Sequence, residues 1–262
     1  MNYYNEHDPK AAAWLRELIR TSAIPDGVVD ERSILNVNPA CLLEYTQWHF
    51  FAGVGGWPLA LRMAGWDDAR PVRTGSCPCQ PFSVSGKQLG TQDERHLWPV
   101  FRDIIAFGES TVTFGEQVAS ALGRDWLDHL RADMEGLGYE VGAADLCAAG
   151  VGASHIRQRL YWVANPTRSR GRGRQPVETW RCSESRRPSQ NLRFESWPDH
   201  SGSGSTLTVP DVLAPSYGLP GRVGLLRGYG NAIVPQVACE FVKAFDDCAN
   251  GPDEPQTPRE KP

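Results

Sequence analysis

The part of this chain best equipped for covalent chemistry is Gly75-Ser76-Cys77-Pro78-Cys79-Gln80-Pro81-Phe82-Ser83, which follows a short apolar lead, Pro71 and Val72. A strand that ends in such a loop puts its last residues where ligands bind in open α/β sheets. A thiol there feels the positive end of the next helix, which lowers its pKa and makes it nucleophilic. A buried structural cysteine and half of a metal site are the alternatives. Cys77 and Cys79 are only two positions apart and no second Cys/His pair follows at zinc-like spacing, so no metal is expected.

The elements that would position this loop can be read in chain order. Residues 2–6 form a short strand that stops at Glu6, and Asp8-Pro9 opens a helix whose apolar face is Ala11, Ala12, Trp14, Leu15, Leu18 and Ile19. Val28-Val29 is a second strand, closed by Asp30-Glu31. Trp48-His49-Phe50-Phe51 is a third, followed by the glycine turn 52–56 and a helix from Trp57 to Ala64. Glycines there let the backbone approach a ligand, and the helix start favours a carboxylate or phosphate. A nucleotide-binding unit usually puts its ribose-binding acid at the end of the next strand, about 20 residues on. Here that strand, 71–74, leads into the cysteine loop instead, and the strands that end in acids stand upstream. Further on, a helix is expected over 96–107, a buried strand over 111–114 leading into Gly115-Glu116-Gln117-Val118, and a core helix over 122–137. Paired strands follow at 139–147 and 159–163, and a last helix carries Val237, Ala238, Phe241, Val242 and Phe245.

The totals bound what such a chain can be. It has 262 residues, 40% of them apolar, which suits one α/β domain plus an insertion, or two small domains. Seven cysteines without a signal peptide or a long apolar run point to a reducing cytoplasm and no membrane. The net charge of −4 does not announce a polyanion, but its distribution does: eight arginines stand against two glutamates between Asn165 and Arg193, whereas the first 31 residues carry six acids. A solvated low-complexity loop would share that composition.

Five segments in register resemble the cytosine-5 DNA methyltransferase family. Phe51-Ala52-Gly53-Val54-Gly55-Gly56 resembles its cofactor loop and Pro78-Cys79-Gln80 its nucleophile motif. Gly115-Glu116-Gln117-Val118 resembles Glu-Asn-Val, with Gln for Asn, and His155-Ile156-Arg157-Gln158-Arg159 resembles Gln-x-Arg-x-Arg, with His leading. Gly230-Asn231-Ala232-Ile233-Val234 resembles the closing motif. The departure is in order: Asn5-Glu6-His7-Asp8 resembles the family's ribose segment and Val29-Asp30-Glu31-Arg32 its adenine segment, and both precede the glycine loop. The resemblance therefore implies a Rossmann-like methyltransferase sheet, mostly parallel with helices on both faces, circularly permuted so that two strand–helix units precede the glycine strand.

It also implies roles. Cys79 is the nucleophile toward cytosine carbon 6, Glu116 holds the base edge, Arg159 contacts the cytosine oxygen, and Arg157 orients the loop or a phosphate. S-adenosylmethionine is the implied cofactor, bound by Phe51, Ala52, Gly53, Gly55, Gly56, Trp57, Glu6, His7, Asp30, Glu31, Pro78, Asn231 and Ile233. Double-stranded DNA, with the target base rotated out, is the implied partner. It would be contacted by Gln80, Ser83, Ser85, Lys87 and Gln88, and by Arg168, Arg170, Arg172 and Arg174. The implied division is a catalytic and cofactor domain over 1–164 completed by 225–248, an irregular target-recognition segment over 165–224, and a disordered tail over 249–262. A monomer in the cytoplasm of a bacterium or a phage-infected cell, with a companion restriction enzyme, completes the expectation. A DNA-binding relative without methyl transfer and an RNA cytosine-5 methyltransferase are the competing readings.

Overall fold

The computed structural model describes residues 1–78, 97–108, 110–167 and 232–249. Among these, seven strands form one sheet in the order β2-β1-β3-β4-β5-β7-β6. The central strands β1 (Asn2–Asn5), β3 (Gln47–Phe50) and β4 (Val72–Gly75) are buried along their whole length, as expected of a parallel sheet covered on both faces. With β2 (Gly27–Asp30) and β5 (Thr113–Val118) they run parallel. The long strand β7 (Gln158–Pro166) lies antiparallel between β5 and β6 (Tyr139–Cys147).

Two layers of helices follow from the alternation of side chains. The paired row Tyr4, His49, Thr74 and Phe114 faces one side. There Tyr4 packs with Leu15 of α1 (Pro9–Arg20). Phe114 packs with Trp57 of α2 (Gly56–Met63) and with Phe245 of the last helix, Pro235–Ala249. The next row, which includes Tyr3 and Trp48, faces the other side. It shares a core with Phe101 of α3 (Trp98–Phe107) and Leu130 of α4 (Ala121–Gly136). The last helix is α5 in this order.

Local chemistry sets the element ends. Asp8 caps α1 by accepting from the amides of Lys10 and Ala11 at 2.8 and 3.1 Å, with Pro9 in the first turn where its missing N–H costs nothing. Ser120 caps α4 through the Gly123 amide at 3.1 Å. Three expectations change. Trp14 is 51% exposed rather than on the buried face of α1, which Ala12 and Leu15 hold. The second unit has no full helix, because β2 is followed by two short 3-10 turns, Ile34–Asn36 and Pro39–Leu42, separated by Val37 and Asn38, with Pro39 opening the second. The strand expected over 111–114 starts at Thr113 and carries the Gly115-Glu116-Gln117-Val118 motif within it.

One connection departs from the usual rule. α1 links β1 to β2 in one direction across the sheet, and α2 links β3 to β4 in the other, yet both helices lie on the same face: Leu59 of α2 joins the Tyr4–Leu15 cluster. α3 links β4 to β5 in the same direction as α2, but from the opposite face. The β3–α2–β4 crossover therefore has the opposite hand from its two neighbours. Since such crossovers are right-handed in about 98% of cases, it is the left-handed one.

His49 sits at the centre of the sheet, fully buried, its ring stacked on Tyr4 at 5.0 Å and its Nδ1 2.8 Å from the Thr74 hydroxyl. Burial pushes its pKa down to about 3. In the unfolded chain the ring takes up a proton below about pH 6.5, so acid favours unfolding. The contribution is complete above that pH and is lost progressively down to about 3. His49 alone is expected to lower folding stability by about 2 kcal/mol between pH 7 and pH 5. Urea unfolding at both pH values, compared with His49→Gln, checks this; an equal loss in the variant would show that the imidazole is not responsible.

Candidate active site

The site is built at the C-terminal ends of β1, β3, β4 and β5, where an open sheet with a change of connection direction leaves a crevice. β3 ends at Phe50, and Phe51 turns out of it with φ +50. An aromatic residue in the left-handed region costs of order 1–3 kcal/mol and persists only where its surroundings impose it. Here its ring meets Phe101 edge-on at 5.8 Å and remains half-buried, while the Ala52 amide donates to Asn5 of β1. Gly53 (φ +55) and Gly55 (φ +82) complete the turn in a conformation that suits residues without a Cβ. At Gly56, where α2 begins, a Cβ would run into Ile233, so the closing segment of the chain lies directly on this turn.

Glu6, the first residue after β1, reaches into the turn. Its Oε2 accepts from the Gly53 amide at 2.7 Å and its Oε1 from the Asp8 amide at 2.8 Å. Each carboxylate oxygen has a second lone pair, so the pair can still accept from a ligand's hydroxyls. The N-terminal segment is thus joined to the glycine turn. The acids after β2 are differently placed. Asp30 accepts from the Tyr3 hydroxyl at 2.7 Å and from the Arg32 guanidinium at 2.6 Å. Partial burial raises its carboxyl, but Arg32 and Tyr3 outweigh that and hold it at about 2. Glu31 pairs with Arg16 at 2.7 Å, and its carbonyl lies 3.0 Å from His7 Nδ1. Asn5, which the resemblance places in the ribose segment without giving it a role, ties the two exits together by donating to the carbonyls of Asp30 and Arg32 at 3.2 and 2.8 Å.

On the other side of the crevice, Glu116 is 7% exposed and its Oε1 lies 2.8 Å from Arg159 Nε. The register pairs Glu116 with Tyr161, which puts Arg159, two residues away, diagonally across on the same face. Burial pushes the Glu116 carboxyl above its usual value, against the pull of Arg159, Arg157 and Ser76. Burial, and then Arg159 beside it, push the Arg157 guanidinium down, and its Nη2 donates to the Ala232 carbonyl at 2.6 Å. That bond fastens the turn before β7 to the segment leading into α5.

Beyond β4, Cys77 is buried and Pro78 half-buried. Gln117 Nε2 donates to the Cys77 carbonyl at 3.3 Å while its Oε1 accepts from the Val118 amide at 2.9 Å. Trp57 is 4% exposed, packs on Phe114, and gives its indole N–H to Ser76 at 3.1 Å. Ser76 and Gln117 are thus polar contacts at the mouth of the cysteine loop; Gln117 stands at the Asn position of the Glu-Asn-Val resemblance, whereas Ser76 leaves no spacing signal of its own. Cys79, Gln80, Ser83, Ser85, Lys87, Gln88, Arg168, Arg170, Arg172, Arg174 and Asn231 lie outside the described residues. Among the described residues, no cluster of His, Cys, Asp and Glu could hold a metal ion, and no helix is long and apolar enough to cross a membrane.

Removing Arg159 leaves a buried carboxyl without its cation. Arg159→Met is therefore expected to destabilise the fold by about 3 kcal/mol at pH 8 and by less at pH 5, because burial pushes the Glu116 carboxyl upward and so toward taking a proton as the pH falls. Denaturant unfolding at the two pH values checks this; equal losses would mean that the ion pair is not the cause.

Comparison with known proteins adds a family. Residues 70–214, just over half of the chain, match the model of the C-5 cytosine-specific DNA methylase family; the glycine turn and the first three strands precede the matched span. The chain is similar to the Type II methyltransferase M.AplI of Arthrospira platensis, 38% identical over 98 residues that cover 37% of this chain and 28% of that protein. It is also similar to the Type II methyltransferase M.AluI of Cellulosimicrobium cellulans, 34% identical over 115 residues covering 39% and 22%. The aligned stretches thus span only about a quarter of these relatives' length. Among solved structures, a Spodoptera frugiperda DNMT2 mutant aligns with a TM-score of 0.39 at 13% identity, covering 68% of this chain and 53% of that one. With the family model matched across more than half of its length, the chain belongs to the C-5 cytosine-specific DNA methylase family.

Proposed function

We propose that this chain transfers a methyl group from S-adenosylmethionine to carbon 5 of a cytosine rotated out of duplex DNA. The observation that carries the reading is Glu116: a buried carboxyl with raised proton affinity, braced by an arginine, one strand away from the β4 end that leads to Cys79. A pyrimidine edge asks for such a group, since the exocyclic amine needs an acceptor and ring N3 needs a proton donor as negative charge develops there. Arg159, held at its Nε by Glu116, has a guanidinium fork with which to meet the base oxygen. The Cys79 thiolate adds to carbon 6, which makes carbon 5 enamine-like and nucleophilic. Carbon 5 would then take the methyl group, the donor's sulfur keeping the electron pair of the broken bond; loss of the carbon 5 proton to water would expel the thiolate, return the N3 proton to Glu116 and restore the aromatic ring.

Bound S-adenosylmethionine supplies an electrophilic methyl group. The residues around the glycine turn suit it: Glu6 has free lone pairs for ribose hydroxyls, the half-buried Phe51 ring offers a face for adenine, and the backbone at Gly53 and Gly55 admits close approach. Ile233 closes the turn from behind, and Trp57 acts from within the core rather than on the cofactor. Asp30 would meet the adenine amine only if Arg32 releases it, so more of the binding falls to Glu6.

The same reading includes a rearranged chain order. The left-handed β3–α2–β4 crossover supports it: were α2 to lead into β1, the connection would have the common right hand. We assign residues 1–164 and 225–248 to the catalytic unit and the arginine-rich stretch 165–224 to duplex contacts, with phosphate attraction dominating. Residues 249–262 are left as a tail.

Incubation with labelled S-adenosylmethionine and duplex DNA, with an RNA arm in parallel, tests the assignment. Label is expected at cytosine carbon 5 in DNA. Cys79→Ser should lose more than 1000-fold in turnover with DNA affinity kept; turnover within tenfold of wild type would remove the nucleophile. Glu6→Ala should weaken S-adenosylmethionine by about 10- to 100-fold in calorimetric titration, whereas unchanged affinity would detach the N-terminal strand from the site.

A further inference from the structure

The two acids that follow β1 and β2 differ in what they have left for a ligand. Glu6 accepts one backbone amide at each carboxylate oxygen, at 2.7 and 2.8 Å, and keeps a lone pair on both. Asp30 is filled. Its Oδ1 accepts from the Arg32 amide at 2.9 Å and from Arg32 Nε at 3.0 Å. Its Oδ2 accepts from the Tyr3 hydroxyl at 2.7 Å and from Arg32 Nη2 at 2.6 Å, with Nε again at 3.0 Å. The Arg32 amide, Nε and Nη2 and the Tyr3 hydroxyl thus take up a carboxylate that has about four lone-pair sites. The exocyclic amine of adenine acts as a donor, and Asp30 has no acceptor site left to receive it.

We propose that Asp30 is a clamp on Arg32 and not a reader of the adenine amine, so that the pocket takes a nucleoside cofactor whether its purine carries a 6-amino or a 6-oxo group. The proposal rests on the functional reading above and deepens it by naming the specificity of its cofactor site. The clamp is held from several directions. The Arg32 carbonyl accepts from Asn5 Nδ2 at 2.8 Å while the Arg32 amide donates to Asp30, so the backbone of residue 32 cannot swing out without losing both bonds. Tyr3 is 3% exposed and holds the carboxylate from the core side. The Arg32 side chain is 58% exposed and that of Asp30 only 10%, which puts the guanidinium between the carboxylate and solvent. Burial works against a charge at Asp30, but Arg32 and Tyr3 hold its carboxyl at about 2, so at neutral pH it is ionised and has no proton to give. An amine that displaced Arg32 would exchange a two-pronged contact between opposite charges for a single bond from a neutral group. The guanidinium therefore stays.

Calorimetric titration of the full chain with S-adenosylhomocysteine and with its deaminated form, S-inosylhomocysteine, tests this without any methyl transfer. Wild type is expected to bind the two within about threefold of each other. Arg32→Ala keeps the backbone bonds of residue 32 and uncovers the carboxylate, so it is expected to prefer the amine by about tenfold or more. A wild-type preference for the amine beyond threefold would overturn the proposal, as would an Arg32→Ala chain that shows none. Nitrogen-15 spectra read the clamp in the wild type itself, whatever the variant does. The Arg32 Nε–H signal, assigned with Arg32→Lys, should exchange with water no faster once S-adenosylhomocysteine is added; faster exchange would show that Arg32 has let go of Asp30 and would overturn the proposal too. If wild type binds neither compound, the cofactor reading fails and this proposal with it, whereas a wild-type preference for the amine removes this proposal alone.

Discussion

A single hydrogen bond organises the crevice: the Gly53 amide donates to Glu6 at 2.7 Å. The amide of a glycine turn at the sheet's C-terminal edge needs a partner, and a buried donor without one costs about 1–3 kcal/mol. Here the partner comes from the start of the chain. The same carboxylate also accepts from the Asp8 amide, so one side chain closes two backbone turns. The arrangement then spreads outward. The turn starts α2, α2 lies against α5, and Ile233 just before α5 fills the space that the absence of a Cβ at Gly56 leaves open. Residues from both ends of the sequence therefore meet at one turn.

The opposite wall obeys a different economy. Glu116 is taken out of water, which disfavours its charge, and Arg159 and Arg157 pull the other way without cancelling the effect of burial. Arg159 approaches diagonally along the antiparallel pair of β5 with β7, a placement that depends on strand register and would be lost by a one-residue slip. Gln117 next to it holds the Cys77 carbonyl, so the strand that carries the acid also braces the loop that carries the thiol. Asn would be shorter by one methylene; Gln reaches the carbonyl and still caps its own following amide. Glu116 and the segment at Cys77 are thus positioned by neighbouring residues of one strand.

Local signals made much of the fold legible. Asp8-Pro9 marks the start of α1 because the carboxylate accepts from the orphan amides of Lys10 and Ala11 and the proline brings no amide of its own, and the glycines after Phe51 mark a turn before a helix. The stretches 139–147 and 159–163 read as paired strands, and a pair lies at the sheet's far edge, the second strand extended to Gln158–Pro166. Legibility stopped where the cause is long-range. Trp14 has the right period for a buried face but stays 51% exposed, while Leu15 packs in the cluster with Tyr4. Trp57 reads as a residue next to a cofactor loop; that its indole reaches Ser76, 19 positions on, depends on how α2 lies over the sheet. Asp30 reads as an open acid, and only the fold shows Tyr3 and Arg32 closing on it. The hand of the β3–α2–β4 crossover has no sequence signature at all.

The account rests on a donor pocket walled by the first strand and floored by the glycine turn. A crystal structure of the full chain grown with S-adenosylmethionine measures this most directly. The expected result is ribose hydroxyls hydrogen-bonded to the Glu6 carboxylate, with the adenine against Phe51. A cofactor bound at the same turn with its ribose away from Glu6, or bound elsewhere on the sheet, would contradict it.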